Sequence, residues 1–246
     1  MTWGTFGPVH IYSLFLSVGI NVALYFILKR LPQKLQVLIL GLLSFAGIGA
    51  IVFNLTAWGD PLEYLPLHLC SLNALVLPFA VFTRNKILNN LLLLWSLGAV
   101  LALVVNTAQT NFEILSSTFA EYYFSHTLEM GIPVLMFALK LVDKDLKCIW
   151  TTILITLICY TVIHFINLGI NAYCLENNIT SPDGVLTEVN YMYTLWPENP
   201  IMQIFWNIIP IPFIYNVFCI PIVFVYLCIV YAPEIVVWFK SLKNKA

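Results

Sequence analysis

Apolar runs of about 18 or more residues recur along the chain, separated by short clusters of charge, a pattern that predicts helices crossing a bilayer. Seven such runs are expected, at about 8–28, 35–57, 65–82, 87–105, 122–139, 148–171 and 211–232. The fold class is therefore all-α and integral to the membrane, with residues 1–246 forming a single polytopic domain. Run three is the shortest and the most polar. Pro210, Pro212 and Pro221 each remove a backbone donor, so the seventh helix should start late and kink. After Pro233, "EIVVWFKSLKNK" reads as an amphipathic helix on the membrane surface, anchored by Trp238, Lys240, Lys243 and Lys245.

Composition agrees: 61% of residues are hydrophobic and 9% charged, against roughly 25% charged in ordinary globular domains. A net charge of -1 with no basic patch leaves no footprint for nucleic acid. The placement of charge says more than its total. All eleven basic residues fall after runs one, three, five and seven, whereas the other connections carry only acids, among them Asp60, Glu63, Glu188 and Glu198. By the positive-inside rule the N-terminus is outside and the C-terminus inside, which requires an odd number of spans. The plasma membrane is the expected location. No positive segment precedes the first run, so a removable signal peptide is not expected. Only Cys174 of the six cysteines falls in an outer loop, which argues against a disulfide framework. The outer loop of about 173–206 is long enough to expect a role for it.

Ionisable groups inside spans are rare and mark candidate sites. Here they are His68, His126, Glu129 and His164, together with the thiol of Cys70. Counted from the outer boundary, Cys70 lies about 9 Å deep, His126 about 6 Å and His164 about 10 Å, one stratum in the outer half of the membrane. At about 100° per residue His68 and Cys70 point some 200° apart, so one of them supports rather than reacts. Tyr122, His126 and Glu129 share a face, on which Glu129 can orient the imidazole.

A thiol and an imidazole at one depth can attack an ester, form a thioester and pass the acyl group to a second acceptor. Restricted water favours transfer over hydrolysis, and Ser71, Asn73 and Tyr122 are candidate donors to the oxyanion. No cofactor or metal is needed for this chemistry. Two other readings use the same residues. His68, His126 and His164 offer three nitrogen ligands to a zinc-dependent lipid hydrolase. A lipid receptor or transporter would use the pocket without chemistry.

"LPLHLC" (65–70), "YYFSH" (122–126) and "NYMY" (190–193), in this order on a chain of this length, resemble the YwaF-like integral membrane family, whose animal relative is transmembrane protein 164. The resemblance implies an acyltransferase that moves fatty acyl chains from phospholipids onto lysophospholipids. It implies Cys70 as nucleophile and His126 as base, with His68 beside them as a further catalytic candidate. Substrate-binding candidates are Ser71, Asn73, Tyr122, Glu129, His164 and, from the third motif, Asn190 and Tyr193. Here that motif is followed by "TLWPENP", without the lysine-proline pair usual in the family.

Overall fold

The computed structural model describes residues 1–105 and 109–243. Lys245 and the Lys243 side chain, expected among the C-terminal anchors, lie outside the described residues. Every regular element is helical: α1 Pro8–Leu28, α2 Gln33–Ala57, α3 Leu69–Thr83, α4 Lys86–Val104, α5 Ser117–Ala138, α6 Cys148–Asn177, α7 Pro200–Ile208, α8 Cys219–Val230 and α9 Ala232–Lys243. Short 3-10 turns at Tyr191–Tyr193 and Ile214–Phe218 interrupt the later part of the chain. Helices α1, α2, α4 and α6 are each long and apolar enough to cross a membrane, and a fifth candidate is the pair Ile214–Val230 and Ala232–Leu242, bent by 76°. The chain is a multi-pass membrane protein.

Three expected boundaries move, each for a local reason. The third run does not become helical until Leu69, because Pro66 and extended His68 (φ -72°, ψ 155°) hold the preceding segment open, leaving α3 only 15 residues. The fifth begins at Ser117 rather than 122, since Ser116 accepts the Phe119 N–H at 3.1 Å and caps the helix. The sixth continues past 171 to Asn177 and stops on left-handed Asn178. The seventh run breaks as its prolines predict, into a 3-10 turn and the 12-residue α8. Four long apolar helices with one bent pair therefore stand where seven full spans were expected.

Helix α5 is the hub, packed against α1, α2, α3 and α4. Small residues let α2 come close. Gly41, Ser44 and Gly47 are buried on one stripe, with the Phe82 ring lying on Gly41 and Ala74 lying on Gly47. Below them Leu40, Leu77, Ala80, Val81, Leu92, Ile132 and Met136 form the main apolar core. At one end Lys86 pairs with Asp145 at 2.6 Å and Lys144 with Glu234 at 3.2 Å, joining connections that carry basic residues. At the other, Thr187 donates to Asp60 at 2.9 Å and Tyr191 to the Leu62 carbonyl, so the long segment between α6 and α7 folds onto the α2–α3 connection.

Asp60 anchors that end. One carboxylate oxygen accepts the N–H groups of Leu62 and Glu63 at 3.0 and 3.2 Å, and the other takes the Thr187 hydroxyl. Asp60→Ala is expected to cost about 1.5–3 kcal/mol, the range for hydrogen bonds to a charged group. Thermal unfolding in detergent measures the loss, and limited proteolysis should cut first between 178 and 196.

Candidate active site

Cys70 sits in the first turn of α3, whose N-cap position is His68 and whose N–H groups receive no side-chain cap. Glu129, Tyr122 and Tyr193 all lie within electrostatic reach of its sulfur. His68, Cys70 and Tyr122 are enclosed by protein on most sides, yet each keeps part of its surface open. Positive helix ends favour negative charge nearby, so sulfur or a carbonyl oxygen that gains charge here is well placed.

The His126 ring is held in one orientation. Its Nδ1 lies 2.7 Å from the Tyr122 carbonyl, which only accepts, so the proton is on Nδ1 and Nε2 is left as the basic nitrogen. The ring lies against Tyr122 at 4.2 Å between centroids. Tyr122 thus touches the imidazole and stands close to the thiol. It is itself fixed, its hydroxyl donating to the Ala102 carbonyl at 3.0 Å and its ring packing on buried Trp3. The Trp3 indole donates to Ser13 at 2.8 Å, and its backbone N–H donates to the Phe112 carbonyl at 2.8 Å. Nothing in the sequence pointed to this N-terminal plug, whose signal is an aromatic residue before α1 with no apolar run around it. His10 is buried with Trp3, its Nε2 donating to the Leu103 carbonyl at 2.7 Å.

His68 has a different role from the one helical angles assign it. Because it precedes α3, the 200° separation from Cys70 does not apply. Its Nδ1 accepts the Met192 N–H at 3.3 Å, and its ring packs on Tyr191 and Tyr193 at 5.6 and 5.5 Å. First and third motifs are thereby joined. Met192 and Tyr193 hold this turn with φ of 54° and 52°, a conformation uncommon for bulky residues. The Tyr193 carbonyl accepts from Tyr215 and, at 3.0 Å, from Asn216, which steadies it.

Glu129 does not orient His126. Its Oε1 lies against Gly47 and Ala74 in the α2–α3–α5 seam, and its Oε2 has no partner among the described residues. Gly47 is a site residue that the sequence reading missed, although its small-residue spacing with Gly41 and Ser44 was a usable signal. Ser71 follows Cys70 in the first turn. Asn73 leaves α3 on the Cys70 face and is fully buried.

Two candidates stand apart. Asn190 is turned into its own loop, donating to Trp196 and Glu198 at 2.8 Å each and accepting from Leu195 at 2.9 Å, so neither amide proton is left for a ligand. His164 packs on Phe213 at 5.0 Å, and among the described residues no contact links it to Cys70. The depth count that grouped it with Cys70 and His126 fails with the helix boundaries it used, because α5 starts earlier and α6 ends later. Nor do the histidines form a metal site: among the described residues no three His, Cys, Asp or Glu side chains converge as ligands. That overturns the zinc reading of His68, His126 and His164.

No curated protein and no solved structure matches the chain. Its sequence matches the model of the TMEM164 family over residues 5–231, a stretch that contains α1 to α8, and the chain therefore belongs to the TMEM164 family.

Proposed function

We propose that this protein is a membrane acyltransferase that moves a fatty acyl chain from a phospholipid to a lysolipid hydroxyl through a thioester on Cys70. The observation that carries the reading is the fixed tautomer of His126. A carbonyl bond at Nδ1 leaves Nε2 basic on a ring that rests against Tyr122, the residue that also neighbours Cys70. In the first half-reaction Nε2 takes the thiol proton, sulfur bonds to the acyl carbon, and the departing glycerol oxygen takes the proton back. In the second, the acceptor hydroxyl gives its proton to Nε2, attacks the thioester and releases the thiol.

Helices with wide apolar faces leave the donor no need to pass through water. Cys70 stands in the first turn of α3, at the end of the bundle whose connections lack lysine and arginine, which the positive-inside rule assigns to the outer leaflet. On this reading the chain has seven membrane-crossing segments, with short α3 and polar α5 surrounded by the longer helices, and resides in the plasma membrane. His68 positions the loop that covers the thiol.

The test is direct. Purified protein incubated with a phospholipid bearing a labelled acyl chain is expected to gain one acyl group on Cys70, released by hydroxylamine and lost when lysophospholipid is added. Cys70→Ala should carry none. Label that stays off the other five cysteines supports the assignment, and a lipid exchanged without any adduct would overturn it.

A further inference from the structure

Asn73 lies three residues beyond Cys70, so the two side chains leave the same face of α3. It is 0% exposed, and neither its Oδ1 nor its Nδ2 has a hydrogen-bond partner among the described residues. Buried amides are almost always paired, and an unpaired one is disfavoured strongly enough to need a reason. Glu129, 3% exposed, brings a second partnerless atom, Oε2, to the seam between α3 and α5. The Tyr122 hydroxyl is already given to the Ala102 carbonyl, and His68, whose Nδ1 accepts the Met192 N–H, is only partly buried. Among the described residues, Asn73 alone of the side-chain donors on this face of α3 is both buried and without a partner.

Given the acyl-transfer reading, on which this rests, we propose that Asn73 is the oxyanion donor, forming with the uncapped first turn of α3 the subsite for the ester carbonyl. As the Sγ–C bond forms, the carbonyl π pair moves onto oxygen, which accepts from Asn73 Nδ2 and from a first-turn N–H. When the pair returns, the bond from carbon to the glycerol oxygen breaks, and that oxygen takes the proton His126 Nε2 received from the thiol. The acceptor hydroxyl runs the same steps in reverse through the same subsite. Such donors act because they are already oriented where charge develops.

The experiment uses the full-length protein in lipid-detergent micelles and a phosphatidylcholine with a carbonyl-13C acyl chain. Asn73→Leu is expected to melt at the same temperature as wild type or higher, since it removes an unpaired buried amide, yet to acylate Cys70 about 100- to 1,000-fold more slowly. Asn73→Asp, equal in size but without the donor, should be similarly slow. In the wild-type acyl-enzyme the labelled carbonyl band should lie below that of a free thioester, and in Asn73→Leu it should return towards it. Acylation of both variants at the wild-type rate, or a wild-type band at the free-thioester frequency, overturns the assignment of Asn73 while leaving Cys70 as nucleophile. Absence of any adduct on wild-type protein overturns the transfer reading and this subsite with it.

Discussion

His126→Asn is expected to lower acyl transfer by about 100- to 10,000-fold, the usual contribution of a positioned general base, with little change in stability. The asparagine amide falls near the place of Nδ1 and can go on donating to the Tyr122 carbonyl, the bond that now measures 2.7 Å. Packing against Tyr122 and the turn of α5 should therefore survive. No atom replaces Nε2. A variant that folds but does not turn over separates the base from the scaffold, which His126→Ala would not do, because it also leaves the Tyr122 carbonyl without its side-chain donor. Intact-mass kinetics at Cys70 and a melting curve are the two measurements. Asparagine protein that still acylates Cys70 at the wild-type rate would show that another group takes the thiol proton.

The effect of that substitution should also depend on Tyr122. Its ring rests on the imidazole, it stands within electrostatic reach of the thiol, and it is held by the Ala102 carbonyl and by Trp3 from the N-terminal plug. The plug is part of the site's support although it lies far from Cys70 in sequence. Rigid support of this kind sets catalytic geometry, because small displacements of a base cost large factors in rate.

The four long apolar runs were legible because length and composition alone specify a crossing helix. So was the seventh run's broken start, written in Pro210, Pro212 and Pro221. The first turn of α3 was not. Hydropathy continues smoothly through Leu65, Leu67 and Leu69, and only backbone geometry at Pro66 and His68 decides where the helix begins. The error propagated: angles computed from a helix that had not started set His68 against Cys70, when His68 in fact faces the third motif. Depth counting failed in the same way for His164, since it relied on ends set by caps at Ser116 and Asn178. Cys70, Tyr122 and Glu129 lie within electrostatic reach of one another, a grouping that the depth count, which joined Cys70 to His126 and His164, did not give. The partnering of each atom was beyond reach from sequence, as Asn190 and Asn73 illustrate. Both are polar residues near a motif; one has given both amide protons to its loop and the other has no partner among the described residues.

Gly47 and Gly49, two residues apart on α2, should respond to alanine with opposite results. A Cβ on Gly47 would stand 2.6 Å from the Ala74 Cβ, 3.3 Å from the Ala74 Cα and 2.7 Å from Glu129 Oε1. Carbon atoms in contact prefer about 3.5–4.0 Å. Neither Ala74 atom is the end of a flexible chain, so α2 and α3 must separate and the Glu129 carboxyl must leave the seam. Overpacking of this kind costs about 1–3 kcal/mol, and the helix that moves is the one bearing Cys70. Gly47→Ala is therefore expected to lower the melting temperature and to slow acylation of Cys70 in the protein that remains folded. A Cβ on Gly49 meets nothing within 4 Å, so Gly49→Ala should be neutral or stabilising by up to about 1 kcal/mol through the flexibility it removes from the unfolded chain. Equal melting temperatures and equal acylation rates for the two variants would mean that α2 and α3 do not approach so closely, and that Glu129 is not held where the seam places it.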